Sequence, residues 1–237
     1  IKQQVVLEKC TRRLDFITDV DWLEARKMLR TSFEVEVYAN EAQYDIQYGY
    51  IKRPTHDNTS WDMARFEACG QKYADLSTAQ YGAALLNDCK YGYKVKGNTI
   101  DLALLRSPKS PDFESDQGKH YFTYSFYPHA GNAVKSGVLA ESSALNRAPV
   151  IFAGYAAGEN KILCCIDAEK SGVTLEVMKK AEKKESRIIR LTESRGENSK
   201  AVLRFPGGNV QFLEETFRDI CAVLRVNTSK GRIDDEG

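Results

Sequence analysis

Long apolar runs are missing from this sequence: none approaches the ~20 consecutive residues that a membrane-spanning helix needs. Charge of one sign is missing too. The chain carries 34 Lys and Arg against 33 Asp and Glu, a net +1, and the basic residues are scattered. That balance removes the electrostatic case for nucleic acid or an anionic membrane surface as partner. The densest basic cluster, Lys179-Lys180 with Lys183-Lys184, is interleaved with Glu182 and Glu185 and reads as a solvated turn. Histidine is scarce, with only His56, His120 and His129. No HExxH, His-x-Asp, G-x-S-x-G or CxxC pattern occurs, so neither a metal site nor a nucleophile–base pair can be assembled from local motifs.

The six cysteines (Cys10, Cys69, Cys89, Cys164, Cys165 and Cys221) have no zinc-finger spacing and read as reduced thiols of a cytosolic-type protein. Adjacent Cys164 and Cys165 suit opposite faces of an apolar strand. The sequons Asn58-Thr59-Ser60 and Asn227-Thr228-Ser229 are a weak signal in the other direction. Ile1-Lys2-Gln3-Gln4 does not resemble the start of a signal peptide, and the absence of an initiator Met suggests a start inside a longer protein.

What is present is period-2 patterning. Strands are expected over Arg13–Val20 (with a turn near Asp19-Val20-Asp21), Lys27–Tyr38, Tyr44–Tyr50, Thr99–Leu105, His120–Tyr127, Val150–Ala153, Ile162–Ile166, Arg187–Thr192, Lys200–Arg204, Asn209–Leu213 and Ile220–Val226. Val173–Ala181 alternates well enough to favour a strand over a helix. Asp21–Ala25 reads as a helical turn or a connection, and Pro206-Gly207-Gly208-Asn209 as a hairpin turn rather than a phosphate loop. Almost no helix is expected. The fold class is therefore all-β, an antiparallel sandwich. Texture changes near Ala156-Gly158-Asn160, giving a large domain over 1–157 and a small module over 158–237, with a disordered tail from Ser229.

One loop stands out. Arg53-Pro54-Thr55-His56-Asp57-Asn58-Thr59-Ser60-Trp61-Asp62 has no period of its own but is dense in groups that bind polar rings. Asp57, Asp62, Asp75, Asp88, Asp112 and Asp116 are read in or beside loops. Turn capping accounts for most such aspartates, and no pair is fixed across a sugar by spacing alone. Trp61 reads as a core or interface anchor. Tyr48, Tyr121 and Tyr124 read as core-face strand residues, and Asn87-Asp88 as a turn or an inter-domain contact.

The blocks Arg53–His56, Asn58–Asp62 and Arg65-Phe66-Glu67 resemble glycoside hydrolase family 38 α-mannosidases of the cytosolic/vacuolar branch. The likeness continues through Asp75-Leu76-Ser77, Tyr81-Gly82, Ala84–Gly92, Leu104–Pro108, Pro111-Asp112, Asp116-Gln117-Gly118, His120–Tyr124 and Pro128-His129. It extends to Lys179–Glu182 and Arg190–Gly196.

The resemblance implies a β-supersandwich of the galactose-mutarotase-like type followed by a smaller β-sandwich. It implies a parent enzyme that hydrolyses terminal α-linked mannose with retention. The nucleophile and zinc of that enzyme belong to an N-terminal catalytic domain, so this chain is expected to hold no metal or cofactor and to be inert alone. Its expected partners are the catalytic domain, mannose-containing oligosaccharide and further copies of the parent, in a cytoplasmic or vacuolar/lysosomal setting. Pocket candidates are Arg106, Arg53, His56 and Asp116. Arg106 suits either a fork onto sugar hydroxyls or an inter-domain salt bridge. The other reading is a carbohydrate-binding or oligomer-interface module without chemistry.

Overall fold

The computed structural model describes residues 1–150, 165–166, 172–183, 186–204, 213–217, 221–227 and 232–233. The chain divides into two compact units, Ile1–Pro149 and Val150–Gly237. The domain boundary expected between 157 and 158 lies outside the described residues.

The first unit is two antiparallel sheets. Its strands are β1 (Lys2–Leu7), β2 (Leu14–Trp22), β3 (Leu29–Glu34), β4 (Glu41–Ile46), β5 (Gly49–Pro54), β6 (Ala68–Cys69), β7 (Tyr73–Ser77), β8 (Tyr81–Asn87), β9 (Gly92–Lys96), β10 (Thr99–Leu105) and β11 (Gly118–Ala130). Helices α1 (Ser60–Ala64) and α2 (Val138–Asn146) complete it, with a 3-10 turn at Ala133–Lys135. One sheet has seven strands in the order β1-β2-β11-β8-β7-β4-β5, and the other has four, β3-β10-β9-β6.

A single apolar cluster joins the two sheets. Val20, Tyr44, Leu76, Leu85 and Phe122 come from the larger, and Tyr93, Ile100 and Leu102 from the smaller. Phe16 stacks on Tyr124 and Phe33 on Phe126, with centroids 5.0 and 4.9 Å apart.

The seven-stranded sheet is apolar on its other face as well. There Tyr73, Ala84, Leu86 and Tyr127 pack under Val138, Leu139 and Leu145 of α2. Burial on both faces explains why β8 shows no alternation: Tyr81–Asn87 is buried at every residue but the first.

Several expectations are corrected. The turn near Asp19–Asp21 is absent. β2 runs through it to Trp22, with Val20 wholly buried between exposed Asp19 and Asp21. The alternating run Tyr44–Tyr50 is a hairpin, not a strand: Ile46 pairs with Gly49, and Tyr48 sits in the turn at φ +59°. Tyr48 and Tyr121 are 50% and 72% exposed, whereas Tyr124 is in the core as expected. Asp75 is no loop residue but lies within β7, 1% exposed. Asp21–Ala25 is the end of β2 and a connection. Helix is confined to the short α1 and α2 and one 3-10 turn among the described residues, as the all-β reading expects.

The second unit contains β12 (Cys165–Ile166), β13 (Val173–Lys180), β14 (Arg187–Glu193), β15 (Ser199–Arg204), β16 (Leu213–Phe217), β17 (Cys221–Asn227) and β18 (Arg232–Ile233). They form a three-stranded sheet, β12-β15-β16, and a four-stranded sheet, β13-β14-β17-β18. Val173–Ala181 is indeed a strand. The turn Arg195–Glu197 is tied by the Glu193 carboxylate, which accepts from the amides of Arg195 and Gly196 at 2.7 Å each. Val150–Ala153 beyond its first residue, Cys164, Pro206–Asn209 and most of the tail after Ser229 lie outside the described residues. Arg232–Ile233, within that tail, pairs with β17.

Candidate functional site

The Arg53–Asp62 segment is more ordered than its composition suggests. Thr55 anchors it: its amide donates to the Asn40 carbonyl at 3.0 Å, its hydroxyl to the Ala39 carbonyl at 2.6 Å, and its own carbonyl accepts from Gly97 at 2.8 Å. Helix α1 then starts on a capping box. The Thr59 hydroxyl accepts from the Asp62 amide, and the Asp62 carboxylate accepts from the Thr59 amide and hydroxyl. The Thr59 hydroxyl holds the Asp62 pKa below its ordinary value. Arg65 and His56 lie 3.6 and 3.8 Å from the same carboxylate. Asp62 is therefore spent on starting a helix. The Thr-x-x-Asp spacing was the sequence signal for this.

Arg53 lies with its guanidinium carbon 5.5 Å from the centre of the Tyr44 ring. Its Nε is buried without a hydrogen-bond partner among the described residues. Burial pushes the Tyr44 hydroxyl up to about 12. The crevice beside Arg53, lined by Tyr44, Asp62, Arg65 and Tyr93, offers about 10 Å³, room for about one water and not for a sugar. Trp61 is 82% exposed, with Met63 at 63% and Phe66 at 78%. It is no core residue of this chain, so the core role expected for it is not met.

Arg106 and Asp116 belong to a different place. Gly97, bonded to Thr55, precedes β10, whereas Arg106 follows its last residue. A seven-residue strand separates the two by about 20 Å, so the four pocket candidates do not meet. Asp116, at φ +60°, accepts from the amides of Arg106 (2.8 Å) and Ser107 (3.2 Å). Ser107 is buried, bonds the Trp22 indole, and accepts from the Arg26 amide at 2.8 Å. These bonds fix the backbone at the end of β10. The Arg106 side chain is exposed and makes no hydrogen bond or ion pair among the described residues.

The amide of Arg106, foremost, holds the Asp116 pKa below its ordinary 3.8. A depressed carboxylate contributes order that is complete above its unfolded-state pKa and is lost as pH falls through its folded-state value. The Arg106 and Ser107 amides are therefore expected to lose hydrogen-exchange protection below about pH 4. In Asp116→Ala, which removes the acceptor, the protection should be weak at every pH. Exchange measured between pH 2.5 and 6, expressed as protection factors, checks this.

A third place was not found in the sequence. On the α2-bearing face of the seven-stranded sheet lies an open groove of about 600 Å³, lined by residues of β4, β5 and β7 with His56 and Asn132. In its floor Asp75 accepts from the Ser77 hydroxyl at 2.5 Å and pairs with His129 Nε2 at 2.6 Å, the two side chains 0% and 2% exposed. This is not a nucleophile triad, because the serine donates to the carboxylate and not to the imidazole. Asn87-Asp88 forms a turn: the Asn87 carboxamide accepts from the Lys90 amide and donates to the Gln71 carbonyl at 2.9 Å.

No group of three His, Cys, Asp or Glu able to hold a metal ion occurs among the described residues. They do not fit a zinc site. No helix among them is long and apolar enough to cross a membrane.

Residues 1–114 match the profile of the glycosyl hydrolases family 38 C-terminal domain. The chain is 45% identical over 199 residues to Alpha-mannosidase G of Dictyostelium discoideum, covering 83% of this chain and 18% of that protein. It is 40% identical over 199 residues to Alpha-mannosidase 2C1 of Homo sapiens, covering 83% and 19%. It thus spans less than a fifth of the length of these relatives. Among solved structures, a protein in the glycosyl hydrolase family 38 from Enterococcus faecalis superposes with a TM-score of 0.75 at 17% identity, over 93% of this chain and 29% of that one. That likeness is one of fold.

Proposed function

We propose that this chain, which belongs to the C-terminal region of glycosyl hydrolase family 38, is the non-catalytic β part of an α-mannosidase. In this reading the parent removes terminal α-linked mannose from oligosaccharides, with retention and with a zinc ion held elsewhere in the polypeptide. The observation that carries the reading is the 45% identity over 199 residues to Alpha-mannosidase G, of which they make up 18%. Free Cys10, Cys69 and Cys89 suit a reducing, cytoplasmic setting.

Two surfaces serve the parent. Trp61, Met63 and Phe66 form an exposed apolar set on and beside α1, suited to docking on the catalytic domain or on another copy in an oligomer. Arg106 projects from a backbone that Asp116 and Ser107 hold still, and so presents its forked donors to substrate hydroxyls at little ordering cost. Losing such a charge-assisted contact costs roughly 10–100-fold in kcat/KM. Arg106→Ala in the full-length parent should show that loss on an oligomannoside, while the melting temperature stays unchanged. Unchanged kcat/KM would remove Arg106 from the cleft.

A further inference from the structure

We infer that an extended strand from another part of the parent polypeptide adds to the smaller sheet along the free edge of β3 and covers the inner face of β1. The inference rests on the reading of this chain as one region of a longer α-mannosidase. It starts from where the core stops. Gln3 donates to the hydroxyls of Thr18 (3.0 Å) and Tyr124 (2.9 Å), both buried residues of the inter-sheet side, so Gln3 faces inward. Side chains two and four positions on share that face, and the register sets Val5 opposite Phe16 and Leu7 opposite Leu14. Phe16 packs on the core cluster, whereas Val5 and Leu7 are 54% and 65% exposed. The apolar inner face of the larger sheet thus runs one strand beyond what the smaller sheet covers.

The smaller sheet ends there at β3. Phe33 of β3 lies against Phe16 of β2 and against Tyr124 and Phe126 of β11. Farther along, β10 lies over β7 and β8, and β9 over β7. A strand placed about 4.8 Å outward from β3 therefore stands over β2 and β1. β3 has a strand on one side only among the described residues. The Val35 amide donates to the Asn98 carbonyl just ahead of β10, so by alternation Thr31 and Phe33 bond β10 while the amides of Ser32 and Glu34 point away.

The four edges of the two sheets differ in how they are closed to further pairing. β5 carries Lys52 and Arg53 and ends on Pro54, and β6 is two residues long. Charge, proline and shortness are the usual means of blocking an edge. β1 and β3 close the opposite side of the unit, and there Gln3–Leu7 and Thr31–Phe33 contain neither charge nor proline. A second copy docked β3 against β3 would bring Phe33, which its own core already uses, and so would leave Val5 and Leu7 bare. The matched part is 18% of Alpha-mannosidase G and 19% of Alpha-mannosidase 2C1, so a parent of that length has ample chain to supply a strand. The segment that fits is about five or six residues, apolar at the alternate positions that face Val5 and Leu7.

Hydrogen exchange of the full-length parent and of the 237-residue chain, read residue by residue over Leu29–Glu34 by mass spectrometry, tests this. In the chain alone the Ser32 and Glu34 amides should exchange fast while Phe33 is protected. In the parent those two amides should exchange slower by about a hundredfold or more. Val5→Thr with Leu7→Gln, made in the parent, removes apolar contact with the added strand and should take back about tenfold or more of that protection. Equal exchange at Ser32 and Glu34 in chain and parent, or protection that the double variant leaves intact, would overturn the inference. Protection that rises with the concentration of the chain alone would overturn it in favour of a second copy. Turnover of an aryl α-mannoside by the same parent sample separates the two readings. Equal exchange with turnover intact removes the added strand alone, and absence of turnover removes the α-mannosidase reading on which it rests.

Discussion

His129→Ala is expected to destabilise the Ile1–Pro149 unit by about 3–5 kcal/mol, the cost of stranding one member of a buried pair. Asp75 would keep only the Ser77 hydroxyl of the two side-chain partners that hold it in the buried floor. The Tyr127 ring, stacked on His129 at 5.9 Å, would lose its neighbour as well. Against a typical domain stability of about 5–15 kcal/mol this approaches unfolding. Urea denaturation followed by circular dichroism should show the midpoint falling sharply. His129→Gln, which retains a donor for Asp75, should recover part of the loss. An unfolding free energy within about 0.5 kcal/mol of the starting protein would mean that the pair contributes nothing.

Phe122→Ala should cost a similar amount, about 3–5 kcal/mol, through a different cause. Phe122 is 1% exposed on β11, the strand that joins β2 to β8 at the middle of the larger sheet. Its removal opens a cavity between the sheets, beside a backbone that the ladder to β2 holds in place at Phe122. The Lys90 ammonium, 4.5 Å from the ring centre, loses its cation–π partner in the same step. Phe122→Leu should cost only about 1–2 kcal/mol, since most of the volume is kept. Equal losses for Ala and Leu would mean that the aromatic ring, not the filled volume, sets the effect.

Where strands have one wet face, the sequence declares them. Thr99–Leu105 and His120–Tyr127 alternate and lie where their pattern puts them. The strands it hides are those without contrast. Tyr81–Asn87 is buried on both sides, so nothing polar marks a period, and in Tyr73–Ser77 the polar positions, Asp75 and Ser77, are themselves turned into a covered face. Lys2–Leu7, nearly all exposed, is held by its ladder to β2 and not by an apolar face. The hairpin at Gln47-Tyr48 escapes because its turn carries no glycine or asparagine at the left-handed position, which Tyr48 occupies instead.

The site candidates divide in the same way. Arg53, His56, Arg106 and Asp116 were visible as polar residues in loops, yet their distribution over both ends of β10 depends on pairing that no local pattern encodes. Asp62 and Asp116 turn out to hold backbone amides, the commonest use of a loop aspartate. The groove was invisible for a stronger reason. Gln43, Asp75 and Ser77 come from strands apart in sequence, and Asn132 from a turn some fifty residues beyond Ser77. Only the sheet order brings them to one face.

The supporting, non-catalytic role is tested most directly by hydrolysis of an aryl α-mannoside with zinc supplied. The 237-residue chain and the full-length parent should be assayed side by side at equal molar concentration. Turnover by the parent and none by the chain is the predicted result. Zinc-dependent turnover by the chain alone would contradict the account, because it would place a complete catalytic centre inside these residues.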